Sequence, residues 1–229
     1  MAENKVLLIT GASSGIGEAT ARAAAAAGWR LALAARRVDR LLALVEELGE
    51  DRARAFQVDV TSYEAQARMA DAIIEHSGSL DAVFANAGIG GKPGGFSGAP
   101  PESWRDMVDV NILGVAYTLR ATLDHVRARQ GHVLITGSVA GRRVLAGSMY
   151  AATKWAVSSI GYNLREELKG TGVRVTLVEP GMVDTAFFDE EKPDALRPED
   201  VARAVVYALE QPPGVDLHEM VILPTPPRD

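Results

Sequence analysis

No cysteine occurs in the 229 residues, so disulfides, thiol catalysis and zinc–thiolate sites are excluded. Positive charge is in short supply as well: 24 Lys and Arg against 30 Asp and Glu leave a formal net charge of −6, which argues against a nucleic-acid partner. Long apolar runs are missing. The first one, Val6 to Ile9, follows only Lys5 and stops at Thr10-Gly11, too short for a secretory signal core. No stretch approaches the roughly 18 apolar residues of a membrane span. Repeats, low-complexity tracts and linkers are absent, and His76, His125, His132 and His218 are scattered without ligand spacing, so all four read as structural or solvated and no metal site is expected. What is present is an ordinary globular composition, 47 % hydrophobic and 24 % charged. The length is enough for one α/β domain with a substantial core, and a cytoplasmic enzyme or binding protein is the expectation.

Apolar segments alternate with helical patterns along the whole chain. Lys5 to Thr10, Arg30 to Ala35, Ala53 to Thr61, Leu80 to Gly88, Gly131 to Ser138, Val173 to Gly181 and Met220 to Pro224 read as strands. Helices are expected between them, among them Glu18 to Ala27, Val38 to Leu48, Tyr63 to Ser77, Pro101 to Arg129 with a bend near Asn111 and Gly114, Tyr150 to about Lys169, and Pro198 to Gln211. Strand–helix alternation of this kind predicts a single doubly wound domain over residues 1–229, a parallel Rossmann-type sheet of about seven strands with helices on both faces. Such sheets bind ligands outside the carboxyl ends of their strands.

The polar residues of interest all fall on that edge. Gly11, Ser13, Ser14, Gly15, Ile16 and Gly17 form a glycine turn between the first strand and a helix start, where backbone N–H groups point at an anion such as a pyrophosphate. The spacing is G-x-x-x-G-x-G, and taken alone it also suits a plain tight βα turn. The second strand lacks the acidic residue that would hold a ribose 2′-hydroxyl and ends instead in Arg36-Arg37; this suits the 2′-phosphate of NADP. Asp59, followed by Val60, lies at the third strand's end, where ligand contact and capping of the next helix are equally simple roles. Asn86, Ala87 and Gly88 end the fourth strand, and Ile89 to Pro101 is the longest irregular stretch, a Gly- and Pro-rich loop at the ligand edge.

Ser138 ends the fifth strand, and Tyr150 and Lys154 stand about one helical turn apart on the next helix, hence on one face. A neighbouring cation favours a phenolate, and lowering a tyrosine from its usual pKa of about 10 to near neutrality needs about 4 kcal/mol. Asn111 disfavours regular helix where it stands, which marks either a functional kink or a hydrogen-bonded core polar group.

Taken together, Thr10-Gly-Ala-Ser-Ser-Gly-Ile-Gly17, Asn86-Ala-Gly88, Asn111, Ser138, Tyr150-x-x-x-Lys154 and Pro180-Gly181 with Thr185 resemble the short-chain dehydrogenase/reductase family over essentially the whole chain. The resemblance implies that Tyr150 is the general acid/base, that Lys154 lowers its pKa and binds the nicotinamide ribose, and that Ser138 bonds the substrate oxygen. It further implies that Asn111 supports a proton-relaying water chain. Asp59 and Val60 would meet the adenine end, Asn86 to Gly88 would support the cofactor, and Pro180, Gly181, Val183 and Thr185 would hold the nicotinamide. The Arg36-Arg37 pair resembles NADP-preferring members, and a homodimer or homotetramer is implied, with Trp104 and Trp155 as packing or subunit-contact residues. Two departures stand out. The eleven residues between Ser138 and Tyr150 make an interval about one residue shorter than the commonest family spacing, and the segment from Thr185 to Pro198 is short where many relatives carry a longer lid.

The expected activity is therefore NADP(H)-dependent interconversion of a carbonyl and a secondary alcohol on a small molecule. A catalytically silent NADP-binding regulator or scaffold is the alternative, and a nucleotide-sugar enzyme would need a longer C-terminal part than one helix and one strand. Arg142 and Arg143 are either solvated or meet an anionic substrate group beside Ser138, and Phe187-Phe188 either line the pocket or anchor the short lid.

Overall fold

The structure is a computed structural model, and it describes residues 4–185, 187 and 192–226. Strands and helices alternate: β1 (Val6–Thr10), α1 (Gly15–Ala26), β2 (Arg30–Ala35), α2 (Val38–Leu48), β3 (Ala53–Gln57), α3 (Tyr63–Ser77) and β4 (Ala82–Ala85). The short α4 (Gly95–Gly98) breaks the loop that follows. Next come α5 (Pro101–Val108), a π-helical turn (Asp109–Leu113), α6 (Gly114–Ala128), β5 (His132–Thr136), a 3₁₀ turn (Val139–Gly141) and α7 (Met149–Glu167). The last three elements are β6 (Arg174–Pro180), α8 (Pro198–Leu209) and β7 (Glu219–Ile222).

All seven strands pair in parallel in the order β3-β2-β1-β4-β5-β6-β7. Every residue of β1, β4 and β5 is buried, which is why these segments read as unbroken apolar runs. The two-residue alternation decides which layer each side chain enters. Leu7, Ile9, Leu31 and Leu33 join α1, α2 and α8 in one core, and Val6, Leu8, Ala32 and Ala34 join α3, α6 and α7 in the other. Small residues let α1 lie close: Ala21, Ala24 and Ala25 pack in the same cluster as Val201, Val205 and Leu209 of α8.

Strand order reverses beside β1, since β2 and β3 lie on one side of it and β4 to β7 on the other. The carboxyl ends of β1 and β4 therefore flank the crevice where an open α/β sheet binds its ligand. The expected bend in the long helix is a π turn: Gly114 N–H reaches Asp109 O, and a Cβ on Gly114 would stand 2.9 Å from Val60 Cγ2. Among the described residues, no helix is long and apolar enough to cross a membrane, and no group of three or more His, Asp or Glu could hold a metal ion.

Candidate active site

The glycine turn is shaped by its own backbone. Gly11 and Gly15 have φ of +68° and +55°, which other residues resist, and Gly17 leaves no space: a Cβ there would stand 2.4 Å from Gly11 O and 2.7 Å from Asn86 Nδ2. α1 begins at Gly15 with Ser14 as N-cap, yet the Ser14 hydroxyl does not cap the helix. It accepts instead from Arg37 Nη2 at 2.7 Å, while Ser13 Oγ accepts from Arg37 Nη2 at 3.0 Å and Nε at 3.2 Å. The first-turn N–H groups of α1 thus lack a side-chain cap, and a guanidinium fork stands at the rim of the turn.

Arg36 is exposed beside it, and its carbonyl accepts from Gln57 Nε2 at 3.3 Å. Asp59 does not cap α3. Its carboxylate accepts from Thr61 N at 3.0 Å and Thr61 Oγ1 at 2.8 Å, bonds that hold its pKa below the usual carboxylate value, and Ser62 takes the cap through Ala65 N. Capping, one of the two roles open to Asp59 from sequence, is therefore excluded. Val60 is buried, and its carbonyl accepts from Gln66 Nε2 at 2.7 Å.

Three strand ends are stitched together around Asn86. Its N–H and that of Ala87 donate to Thr10 Oγ1 at 3.0 and 3.1 Å, its Nδ2 donates to Thr10 O at 3.0 Å, and its Oδ1 accepts from Thr136 Oγ1 at 3.0 Å. The stitch joins β1, β4 and β5 and presses Ala87 so close to Gly11 that a Cβ on the glycine would stand 2.9 Å from Ala87 Cα. A Cβ on Gly88, in turn, would stand 3.4 Å from Asn111 Oδ1 and 3.7 Å from Lys154 Nζ, so this glycine keeps open the space between the two.

Asn111 is 1 % exposed in the π turn. It holds the start of the irregular loop by accepting from Ile89 N at 2.9 Å and donating to Ile89 O at 3.0 Å, with Thr153 Oγ1 3.1 Å from the same nitrogen. Asn111 is thus a hydrogen-bonded core polar group seated in the π turn.

Ser138 begins the 3₁₀ turn, accepting from Ala140 N at 3.1 Å. α7 carries Tyr150 and Lys154 on one face, with Nζ 5.8 Å from the ring centre. Burial pushes the Tyr150 phenol above its usual value of 10, and the Ser138 hydroxyl only partly offsets it. Burial also pulls Lys154 down to about 8. Its ammonium donates to Thr136 O at 2.8 Å.

β6 delivers Pro180, and Gly181 N–H donates to Ile222 O at 2.7 Å. Val183 is buried in a bridge with Leu196, so it serves the core, and Thr185 leans over the glycine turn, its Cγ2 3.1 Å from where a Gly15 Cβ would be. Two residues on, the Phe187 ring stacks edge-on against Tyr150 at 5.5 Å between centres and covers Gly90. Phe188 lies outside the described residues.

Arg142 is half-buried and forms ion pairs with Glu179 and Glu219, whereas Arg143 is exposed. His132 is buried against Thr176, and its pKa falls well below the usual value through burial, in keeping with a structural role. Trp104 packs edge-on with Phe96, and Trp155 is 53 % exposed.

Sequence reasoning missed Thr10, Thr136, Thr153, Gln66 and Glu179. A hydroxyl one residue before a glycine turn, or at the last position of a strand beside the crevice, is the signal for the first two. Nothing local flagged Gln66, a fully buried amide bonded to Val60 O, Gly114 O and Thr118.

Fold and site together define a Rossmann-type protein with a serine, a tyrosine and a lysine gathered at its ligand edge. The sequence signature of the short chain dehydrogenase family matches residues 5–196, and the chain belongs to that family. An uncharacterized oxidoreductase of Listeria monocytogenes is 37 % identical over 243 residues, covering 97 % of this chain and 97 % of the relative. An alcohol dehydrogenase of the archaeon Thermococcus sibiricus, solved with 5-hydroxy-NADP, superposes with a TM-score of 0.91 at 36 % identity, covering 98 % of each chain. A 3-ketoacyl-(acyl-carrier-protein) reductase of Brucella melitensis, solved with NADH, gives 0.89 at 28 % identity over 97 % of this chain and 98 % of that one.

Proposed function

We propose that the protein is an NADP(H)-dependent oxidoreductase that interconverts a carbonyl and a secondary alcohol, with Tyr150 as the general acid/base. The observation that carries this reading is the continuity of the site: Gly11 touches Ala87, Gly88 faces Lys154, Thr185 covers Gly15, and Phe187 lies on Tyr150. These contacts set the anion cradle and the phenol along one edge of the sheet. The cradle fits a dinucleotide, because its glycines exclude side chains and the first turn of α1 has no side-chain cap. The guanidinium of Arg37, held by Ser13 and Ser14, stands with Arg36 where a 2′-phosphate would be paired. Neighbours solved with 5-hydroxy-NADP and with NADH support a nicotinamide cofactor, and the two arginines favour the phosphorylated form.

A bound nicotinamide would supply or accept the hydride. The protein's own work is the proton. In reduction the Tyr150 phenol gives its proton to the substrate oxygen, which the Ser138 hydroxyl orients; in oxidation the phenolate takes the hydroxyl proton. With burial holding the phenol protonated at neutral pH, the proton donor is ready for reduction. Lys154, pulled down to about 8, remains largely cationic at pH 7 and steadies the phenolate that forms. Asn111 holds Ile89 and leaves the space beside Gly88 open on the Lys154 side, the route for proton return.

A soluble enzyme acting as a homodimer or homotetramer in the cytoplasm, on a small-molecule substrate, is the setting this reading implies. The test is NADPH consumption over a panel of ketones, aldehydes and 3-oxo acids, with Tyr150→Phe alongside. The variant should bind NADPH as the parent does and lose at least about 1,000-fold in kcat, within the range of general acid–base catalysis. Full activity in Tyr150→Phe would sink the assignment, and NADPH binding without turnover on any carbonyl would favour a cofactor-sensing regulator instead.

A further inference from the structure

Arg142 comes directly after the 3₁₀ turn that begins at Ser138, and its guanidinium is turned inward. It forms an ion pair with Glu179 through Nε, meets Glu219 Oε2 at 2.5 Å, and donates to the Tyr162 hydroxyl at 2.9 Å. Burial works against its charge, yet Glu219 and Tyr162 outweigh it and hold the guanidinium above its ordinary pKa. Glu179 stands on β6 with its side chain 0 % exposed. A carboxylate there is costly unless paired and hydrogen-bonded.

Glu179 touches the residue that precedes Ser138 and a serine of α7. Its Oε1 accepts from Ser158 Oγ at 3.0 Å, and that hydroxyl also lies 3.2 Å from Lys154 O, on the turn of α7 that carries Lys154. On the near side of Ser138, a Cβ on Gly137 would stand 2.9 Å from Glu179 Cγ. On its far side, a Cβ on Gly141 would stand 2.6 Å from Lys154 O and 3.0 Å from Ser158 Oγ. Glycines at 137 and 141 thus let the serine segment lie flush against β6 and α7, and Arg142 ties its downstream end to the buried carboxylate. A buried ion pair contributes little net stability compared with well-packed apolar residues, whereas a planar guanidinium held by Glu179, Glu219 and Tyr162 at once is fixed in position.

We propose that Arg142 and Glu179 are positioning residues for catalysis: their ion pair holds the Ser138 turn against the Lys154–Ser158 turn of α7, and so sets the Ser138 hydroxyl against the Tyr150 phenol. The proposal rests on the carbonyl-reducing reading of the site, and the pair acts through Ser138 without touching substrate.

The experiment compares Arg142→Met, Glu179→Met and the double variant in the full-length protein by thermal melting, NADPH titration and steady-state kinetics. Arg142→Met leaves the buried Glu179 carboxylate without its cation and should melt lower than the parent, whereas Glu179→Met leaves Arg142 paired with Glu219 and Tyr162 and should melt lower by less. The double variant should recover the melting temperature and bind NADPH within about twofold of the parent, yet turn over about 10- to 100-fold more slowly, since a misplacement of about 1 Å can cost 100-fold. A purely structural pair predicts that kcat returns together with the melting temperature, and that result overturns the proposal. Should the double variant not fold, Glu179→Gln keeps the shape and the Ser158 hydrogen bond while removing the charge; about fivefold lower kcat is expected, and parental kcat overturns the proposal as well. The two readings fail differently. A parent that reduces no carbonyl overturns both, whereas a dead Tyr150→Phe beside a fully active double variant removes only the positioning role.

Discussion

At the β1–β4 end of the ligand edge the walls are main chain: Gly11, Gly15 and Gly17, the first-turn N–H groups of α1, and the backbone of Asn86 and Ala87 bonded to Thr10. At the β5–β6 end they are side chains: Ser138 at the start of the 3₁₀ turn, Tyr150 on α7 and Phe187, with Val144 and Leu145, 95 % and 48 % exposed, on the loop between Ser138 and Tyr150. Backbone is fixed by the sheet, so the first end can serve one invariant ligand part. Side chains are free to vary, so the second end is where one fold adapts to different substrates. The Arg142–Glu179 pair stands on the border, giving one side chain of the variable end the rigidity of the sheet.

The comparison breaks most visibly at Gly17. Gly17→Ala puts a methyl group 2.4 Å from Gly11 O, so the cradle must open; NADPH affinity, read by fluorescence titration, should fall at least about 100-fold, about 2.7 kcal/mol. Near-parental affinity would mean that the cradle is not the dinucleotide site. Less severe is Arg36→Ala with Arg37→Ala, which should weaken NADPH about 10- to 100-fold through lost charge-assisted bonds while leaving NADH within about twofold. Equal effects on both nucleotides would remove the 2′-phosphate role.

At the side-chain end, Phe187→Ala should leave NADPH binding unchanged and shift KM for bulky aromatic carbonyls by about threefold to tenfold, since one truncated ring contributes about 1 kcal/mol. A change in cofactor affinity instead would assign Phe187 to the other end. The smallest effect is a stability difference at Lys154. Its folded pKa of about 8 lies below the usual 10.5, so its charge costs stability below pH 8. That cost fades between pH 8 and 10.5 as the unfolded chain comes to hold more protons than the folded one. The melting temperature of the cofactor-free protein, minus that of Lys154→Met, should therefore rise by a few degrees from pH 8 to pH 10. A flat or falling difference would contradict the burial of the ammonium.

Much of this was legible in the chain. Unbroken apolar runs such as Val6 to Thr10 need both faces covered, which gave the parallel sheet, and the bounds of α2 and α3 match the sequence expectation residue for residue. Gly11 to Gly17 could be read because glycine has few other reasons to recur between a strand and a helix. Side-chain direction was not legible. Arg142 turns inward because of Glu179, a residue 37 positions away on a strand whose buried face local pattern does not reveal. Asp59 gave up the cap to Ser62, a choice settled by a single turn of backbone. The balance of burial against charge at Tyr150 depends on the packing around it, and no spacing of residues encodes that.

The central claim is that the carbonyl carbon takes its hydride from the nicotinamide while Tyr150 protonates the oxygen. A single-turnover experiment with NADPH carrying deuterium at both positions of C4 of the nicotinamide tests it most directly. The account predicts deuterium on the carbinol carbon of the alcohol formed by the parent protein, and no measurable transfer in Tyr150→Phe that has bound the same nucleotide. An alcohol without the label, or transfer at the parental rate in Tyr150→Phe, would contradict it.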